Sequence, residues 1–200
     1  MKTEVNLKAK KLSNLQERKL LKLLKNAELI GNGSSRIVFI DPRNSNRIVK
    51  VAIGANSFRQ NKLELKLWNS TEDKRLARIY EYGRFVIVME RMVQTFDEDS
   101  LYEEFYGCDD DVMYDASREV VDWLQDLLGE TSDNYQIGLN ADGDFKAYDY
   151  GFDPEHPSYL QCGEANWMRT KTFRYYLDRF GEILRDHRPI TEAQLLFQED

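Results

Sequence analysis

Gly31-Asn32-Gly33-Ser34-Ser35-Arg36-Ile37-Val38 is the stretch on which the reading of this chain turns. It lies between two short Ile/Val-rich runs, Glu28 to Ile30 and Arg36 to Ile40, so its glycines close a hairpin instead of joining a strand to a helix. That setting counts against a dinucleotide-type turn. It lets backbone N–H groups lie over phosphate oxygens, because glycine has no side chain to hold the backbone away. A plain tight turn would carry the same Gly-x-Gly, and Arg36 stands where a third glycine is expected.

Working outward, Arg47 to Ile53 forms a third strand after the turn Asp41-Pro42-Arg43-Asn44-Ser45-Asn46. Strand alternation puts Ile48, Lys50 and Ala52 on one face, so the Lys50 ammonium emerges from an apolar surface, where an unpaired charge is disfavoured. Ser57-Phe58-Arg59-Gln60 has the form of a capping box and opens a helix running to about Asn69. Within it Glu64 has Gln60, Asn61, Leu67 and Trp68 as its neighbours three and four residues away, none of them basic. A solvent-edge lysine and a boundary glutamate reaching water are the plain alternatives. Together, two charges lacking partners in their own elements predict each other's company. Strands at Arg78 to Tyr82 and Phe85 to Met89, turning at Gly83, complete five strands with one helix between the third and fourth. Upstream, Ser13 N-caps a lysine-rich amphipathic helix to Ala27, with Leu15, Leu20, Leu21, Leu23 and Leu24 on its apolar side. Residues 1–92 therefore read as a first lobe.

Residues 93–200 read as a second, mostly helical lobe. Its clearest helix is Asp110 to Leu128, with Val112, Val120, Val121, Leu124 and Leu128 as buried candidates. Gln136 to Leu139 and Phe145 to Tyr148 flank Asn140-Ala141-Asp142-Gly143-Asp144, a hairpin signal of the Asp-Gly type. Asp149-Tyr150-Gly151 follows at once. An Asp at a strand end before a flexible Gly can aim its carboxylate into a cleft and hold a divalent ion, although turns use the same residues. The remainder, roughly Glu164 to Arg188 and Thr191 to Gln198, is helical, with Trp167, Phe173, Tyr175, Tyr176 and Phe180 expected to pack on the second lobe.

The order of these parts resembles a protein kinase over about Leu29 to Phe152, most nearly the small phage and prokaryotic kinase-like proteins that carry Asp-Tyr-Gly. The resemblance implies an α+β, protein-kinase-like two-lobed fold: a five-stranded antiparallel N-lobe with helix C and a reduced C-lobe. It implies ATP and Mg²⁺ as cofactors. By it Gly31 and Gly33 cover the phosphates, Val38 roofs the base, Lys50 contacts the α and β phosphates and Glu64 orients Lys50. Asp149 holds the metal, and Glu90 to Met92 form the hinge that meets adenine. The catalytic loop departs from the pattern: Thr131 falls where the catalytic Asp belongs and Gln136 where a metal-binding Asn belongs. Asp133 is the substitute base, Glu130 the next choice, and Gln136 a looser metal ligand. About fifty residues follow Gly151, short for a full activation segment and peptide-docking helices.

Composition sets the remaining bounds. Two hundred residues with 42% hydrophobic content can bury a core, and a net charge of −7 argues against nucleic acid as the main partner. Lys2, Lys8, Lys10, Lys11, Lys19, Lys22 and Lys25 make the start basic, read as a solvated helix face, while Asp97 to Asp115 is acidic. Two cysteines, Cys108 and Cys162, signal neither a disulfide framework nor zinc, and His156 and His187 sit in no constellation. No apolar run is long enough to span a bilayer, so a cytoplasmic location is expected. The chain is thus expected to be an ATP/Mg²⁺-dependent phosphotransferase acting on protein Ser/Thr. The alternative is a pseudokinase that binds nucleotide or a protein partner. A small-molecule kinase or nucleotidyltransferase is a third option that uses the same cleft.

Overall fold

The computed structural model describes residues 8–32, 36–52, 55–96, 111–128 and 136–151. Expectations for Gly33, Thr131, Asp133, both cysteines, both histidines and the helices after Phe152 fall outside these residues.

The described chain builds two sheets. The first has six strands: β1 (Lys10–Lys11), β2 (Leu29–Asn32), β3 (Arg36–Ile40), β4 (Arg47–Ala52), β5 (Ile79–Tyr82) and β6 (Val86–Glu90). Their spatial order is β1-β5-β6-β4-β3-β2, antiparallel throughout except for the parallel β1–β5 pair. The five expected strands are there, with helix α2 (Ala55–Thr71) between the third and fourth of them. The two-residue β1 was not legible, being two exposed lysines with no apolar side chain of its own. Helix α2 begins two residues before the Ser57 capping box, since Ala55 is itself a strong helix former.

Alternation along the strands explains why both faces of this sheet are covered. Ile37, Phe39, Val49, Val51, Val86 and Val88 face helix α1 (Asn14–Leu23) and the 3-10 turn after it, packing on Leu20, Leu21 and Leu24. Ile48, Ile79, Ile87 and Met89 face the other way, toward Trp68 of α2 and onward to the second sheet. Ser13 caps α1 through a reciprocal box with Gln16. Leu15 and Leu23 are not on the buried side as expected; they are 64% and 49% exposed. At about 100° per residue the buried arc runs from Leu20 to Leu21, and the residue at its centre is Glu17.

Glu17 is buried, and its carboxylate accepts the Phe85 N–H at 2.6 Å. A Cβ on Gly83 would run into that carboxylate, so glycine at the β5–β6 turn admits it. Replacing Glu17 by alanine orphans a turn N–H and is expected to cost about 1–3 kcal/mol. Glu17→Gln keeps an acceptor and should lose less. Urea denaturation measures both, and equal losses would discount the hydrogen bond.

The second sheet is β7 (Gln94–Phe96), β8 (Gln136–Leu139) and β9 (Phe145–Asp149), antiparallel in that order. The segment after Met92 was expected to turn helical. Instead β7 extends along β8, because its only large apolar side chain, Phe96, is buried by a strand's alternation and meets Phe145. Asn140 accepts the N–H groups of Asp142 and Asp144, and Gly143 takes φ +85°, closing the β8–β9 hairpin. Helix α3 (Asp111–Leu128) lays Val120, Val121 and Leu124 into the same core as Ile137 and Ala147. Backbone bonds join the sheets: the Ala77 N–H donates to Ala147 C=O at 2.7 Å, and the Ala147 N–H donates to Arg75 C=O at 2.8 Å. No described helix is long and apolar enough to cross a membrane.

Candidate functional site

The β3–β4 register places Val38 opposite Lys50 and Arg36 opposite Ala52, so all four share one face of the sheet, the face under α2. Lys50 is buried there, and its ammonium lies 3.0 Å from Glu64 Oε1. It also donates to the Tyr148 carbonyl and stands 3.8 Å from Asp149 Oδ1. Glu64 is wholly buried, so it does not reach water. Its cation comes from a strand because α2 itself supplies none on that face.

A second cation completes the cluster. Arg36 is 5% exposed, with Nη1 2.8 Å from Glu64 Oε1 and Nη2 donating to Asp149 Oδ1. Two cations and two carboxylates therefore form a closed tetrad of zero net charge. Burial alone would push the Arg36 guanidinium down, but Glu64 and Asp149 outweigh it and hold it higher still, firmly charged. Burial likewise pushes the Asp149 carboxyl up, and Lys50 and Arg36 more than reverse this, holding it well below the usual carboxylate range. About a third of the Asp149 side chain stays exposed, so solvent screening moderates what that shift adds to stability. Arg36 Nη1 is met by Glu64 Oε1 as an ion pair, while the other carboxylate oxygen, Glu64 Oε2, is buried with no hydrogen-bond partner among the described residues.

Tyr150 points inward from the motif. Burial, then the Glu64 charge, raise its hydroxyl well above the ordinary value, and it donates to the Ala77 carbonyl at 2.9 Å. Gly151 lies so close to α2 that a Cβ would come 2.6 Å from the Gln60 carbonyl oxygen. Gln136 sits across the ladder from Asp149. Gly31 pairs with Val38 at the outer end of the face.

The Glu90 to Met92 segment is more tied down than a free hinge. The N–H groups of Glu90, Arg91 and Val93 donate to the carbonyls of Arg78, Asn46 and Leu139. The Glu90 carboxylate accepts from Asn140 Nδ2 and Lys146 Nζ, each at 2.9 Å, and from the Arg78 N–H at 3.1 Å. It thereby latches β6 to the β8–β9 hairpin. Met92 is buried in the core, its Cβ facing Gly138. The latch was not legible, because Asn140 and Lys146 lie fifty or more residues away.

A divalent ion fits this arrangement poorly. Asp149 Oδ1 is taken by Arg36 and flanked by Lys50, and no group of three or more His, Cys, Asp or Glu among the described residues could hold a metal. An ion bound at Asp149 would face two fixed cations. Repulsion at about 4 Å is on the order of 4 kcal/mol per unit charge product at an effective dielectric near 20. The residues present do not fit Mg²⁺ while Arg36 is seated.

Five antiparallel strands in the order β2-β3-β4-β6-β5, a helix after the third, a strand lysine paired to that helix and an Asp-Tyr-Gly beneath it define a protein-kinase-like fold. No protein-family model matches the chain, and no curated protein matches it in sequence. Among solved structures it is similar to the apo GRMZM2G135359 pseudokinase, at 14% identity and a TM-score of 0.46, over 91% of this chain and 77% of that one. It is also similar to the pseudokinase DRIK1, drought responsive inactive kinase 1, in its co-crystal with ENMD-2076. There the identity is 13% and the TM-score 0.43, over 95% of this chain and 86% of that one.

Proposed function

We propose that the chain is a pseudokinase-type regulatory module, which holds a nucleotide in the cleft under β3 and β4 and acts on a protein partner without transferring phosphate. The single observation that carries this reading is the Arg36 guanidinium between Glu64 and Asp149. A metal-dependent transferase needs the Asp149 carboxylate for its ion. Here that oxygen is committed to an arginine. The nucleotide part rests on the cleft face, where apolar Val38 and Ala52 alternate with Lys50 and Arg36. Apolar surface suits a planar base, and two adjacent cations suit a polyphosphate.

Incubating the full chain with labelled ATP, Mg²⁺ and cell lysate tests the proposal. Transfer no greater than that of an Asp149→Asn control is expected. Label transfer that Asp149→Asn abolishes would overturn it in favour of the atypical phosphotransferase, with Asp133 as its base.

A further inference from the structure

We propose that Arg36 is an internal lock that fastens the glycine hairpin to the Asp-Tyr-Gly segment, its guanidinium occupying a latent divalent-cation site between Glu64 and Asp149. This rests on the reading above and deepens it, by naming what holds the cleft in a non-transferring state and what would release it.

Position supports it first. Arg36 begins β3, three residues after Gly33, and stands opposite Ala52, two places from the Val38–Lys50 pair. Its side chain meets a helix carboxylate and a second-sheet carboxylate together: Nη1 is 2.8 Å from Glu64 Oε1, and Nη2 donates to Asp149 Oδ1. One planar fork thereby ties the start of β3 to both α2 and β9.

Charge supports it second. Arg36, Lys50, Glu64 and Asp149 sum to zero. A divalent ion entering beside Arg36 would leave two uncompensated positive charges. In place of Arg36 it would leave one, and it would have both carboxylates to itself on the side the guanidinium now fills. Arginine does not lose its proton in proteins, so the lock opens by movement of the side chain and not by titration.

The third support is an oxygen without a partner. Glu64 is wholly buried; its Oε1 takes both Lys50 and Arg36, while Oε2 has no hydrogen-bond partner among the described residues. Buried carboxylate oxygens are normally satisfied, and hard divalent cations are held by oxygens of this kind. The part of Asp149 that stays exposed gives an ion from solvent an approach to the cluster.

Mn²⁺ titrated into the full chain without nucleotide, and followed by the loss of the free ion's paramagnetic resonance signal, tests the lock. The wild-type chain is expected to bind it weakly or not at all. Arg36→Met keeps the apolar stem and removes the charge. It is expected to bind a single ion at least about tenfold more tightly than the wild type, because a cation a few ångströms away has gone. Adding Asp149→Asn to Arg36→Met should abolish that binding. Wild-type binding as tight as that of Arg36→Met, no binding by folded Arg36→Met, or binding that survives Asp149→Asn overturns the proposal. If Arg36→Met does not fold, amide hydrogen exchange of the Asp149→Asn chain decides. Loss of the charge-assisted bond to Arg36 should speed exchange at residues 36–38 by about tenfold while β6 keeps its rate. Unchanged exchange at residues 36–38 overturns the lock. No nucleotide takes part in either measurement, so both are separate from the rise of Tm with ATP, whose absence would overturn the nucleotide reading alone.

Discussion

Glu64→Gln is expected to lower the unfolding free energy by about 3–5 kcal/mol, the usual cost of breaking a buried ion pair by removing one partner. Against a typical total of about 5–15 kcal/mol, this is the largest single loss predicted for the chain. Glutamine preserves the shape of Glu64 and removes its charge. Lys50, 3.0 Å from the carboxylate, and Arg36, 2.8 Å from it, would then share Asp149 as their one carboxylate, with the Tyr148 carbonyl left to Lys50. Both cations are buried, so water cannot take over the lost partner. The double variant Lys50→Met/Glu64→Leu removes one charge of each sign and leaves the Arg36–Asp149 pair intact. It should therefore be more stable than either single change. Urea denaturation with an unchanged m-value is the measurement. A Glu64→Gln midpoint matching the wild type would show that the tetrad is not the electrostatic centre described above.

Gly151→Ala is the second large effect. The new Cβ would lie 2.6 Å from the Gln60 carbonyl oxygen, 3.1 Å from its carbon and 2.9 Å from Glu64 Cγ. Two of these are helix backbone atoms, which cannot yield without moving α2. Overpacking of a dense site costs about 1–3 kcal/mol, and a backbone obstacle places this case toward the upper end. Moving α2 also stretches the Glu64–Lys50 contact, so ATP affinity should fall along with Tm. Gly143→Ala is the comparator. Its Cβ would meet nothing within 4 Å, and its cost, about 1–2 kcal/mol, comes from φ +85° alone. That change should leave ATP affinity as it was. Gly151→Ala with wild-type stability and affinity would mean that α2 is not seated on the Asp-Tyr-Gly segment.

Much of the architecture could be read from local pattern. Alternating Ile and Val between turn residues located β2 to β6, and the Asp-Gly turn located the β8–β9 hairpin to within a residue. These signals are short-range: they depend on which side chains alternate and where the backbone can turn. β1 and β7 escaped because neither is an apolar run; each is recruited by a strand distant in sequence, β5 and β8. Glu17 escaped for a related reason. Its burial is set by the Phe85 N–H sixty-eight residues away, and helical periodicity alone made the exposed Leu15 and Leu23 look like core.

The sequence by itself determined the candidates at the cleft: Lys50 and Glu64 stood out as charges on apolar faces with no partner in their own elements. Burial of a charge demands compensation, and local neighbours could be checked and ruled out. Tertiary structure alone decided what the compensation is. In sequence Arg36 was a departure, a bulky cation where the hairpin pattern expected glycine. In the fold it reaches Glu64 on α2 and Asp149 on β9, twenty-eight and 113 residues away, and turns an expected ion-binding carboxylate into half of a part-buried pair. The reason is geometric: a strand fixes which face a side chain leaves from, but only the packing of helix and second sheet over that face fixes which charges it meets.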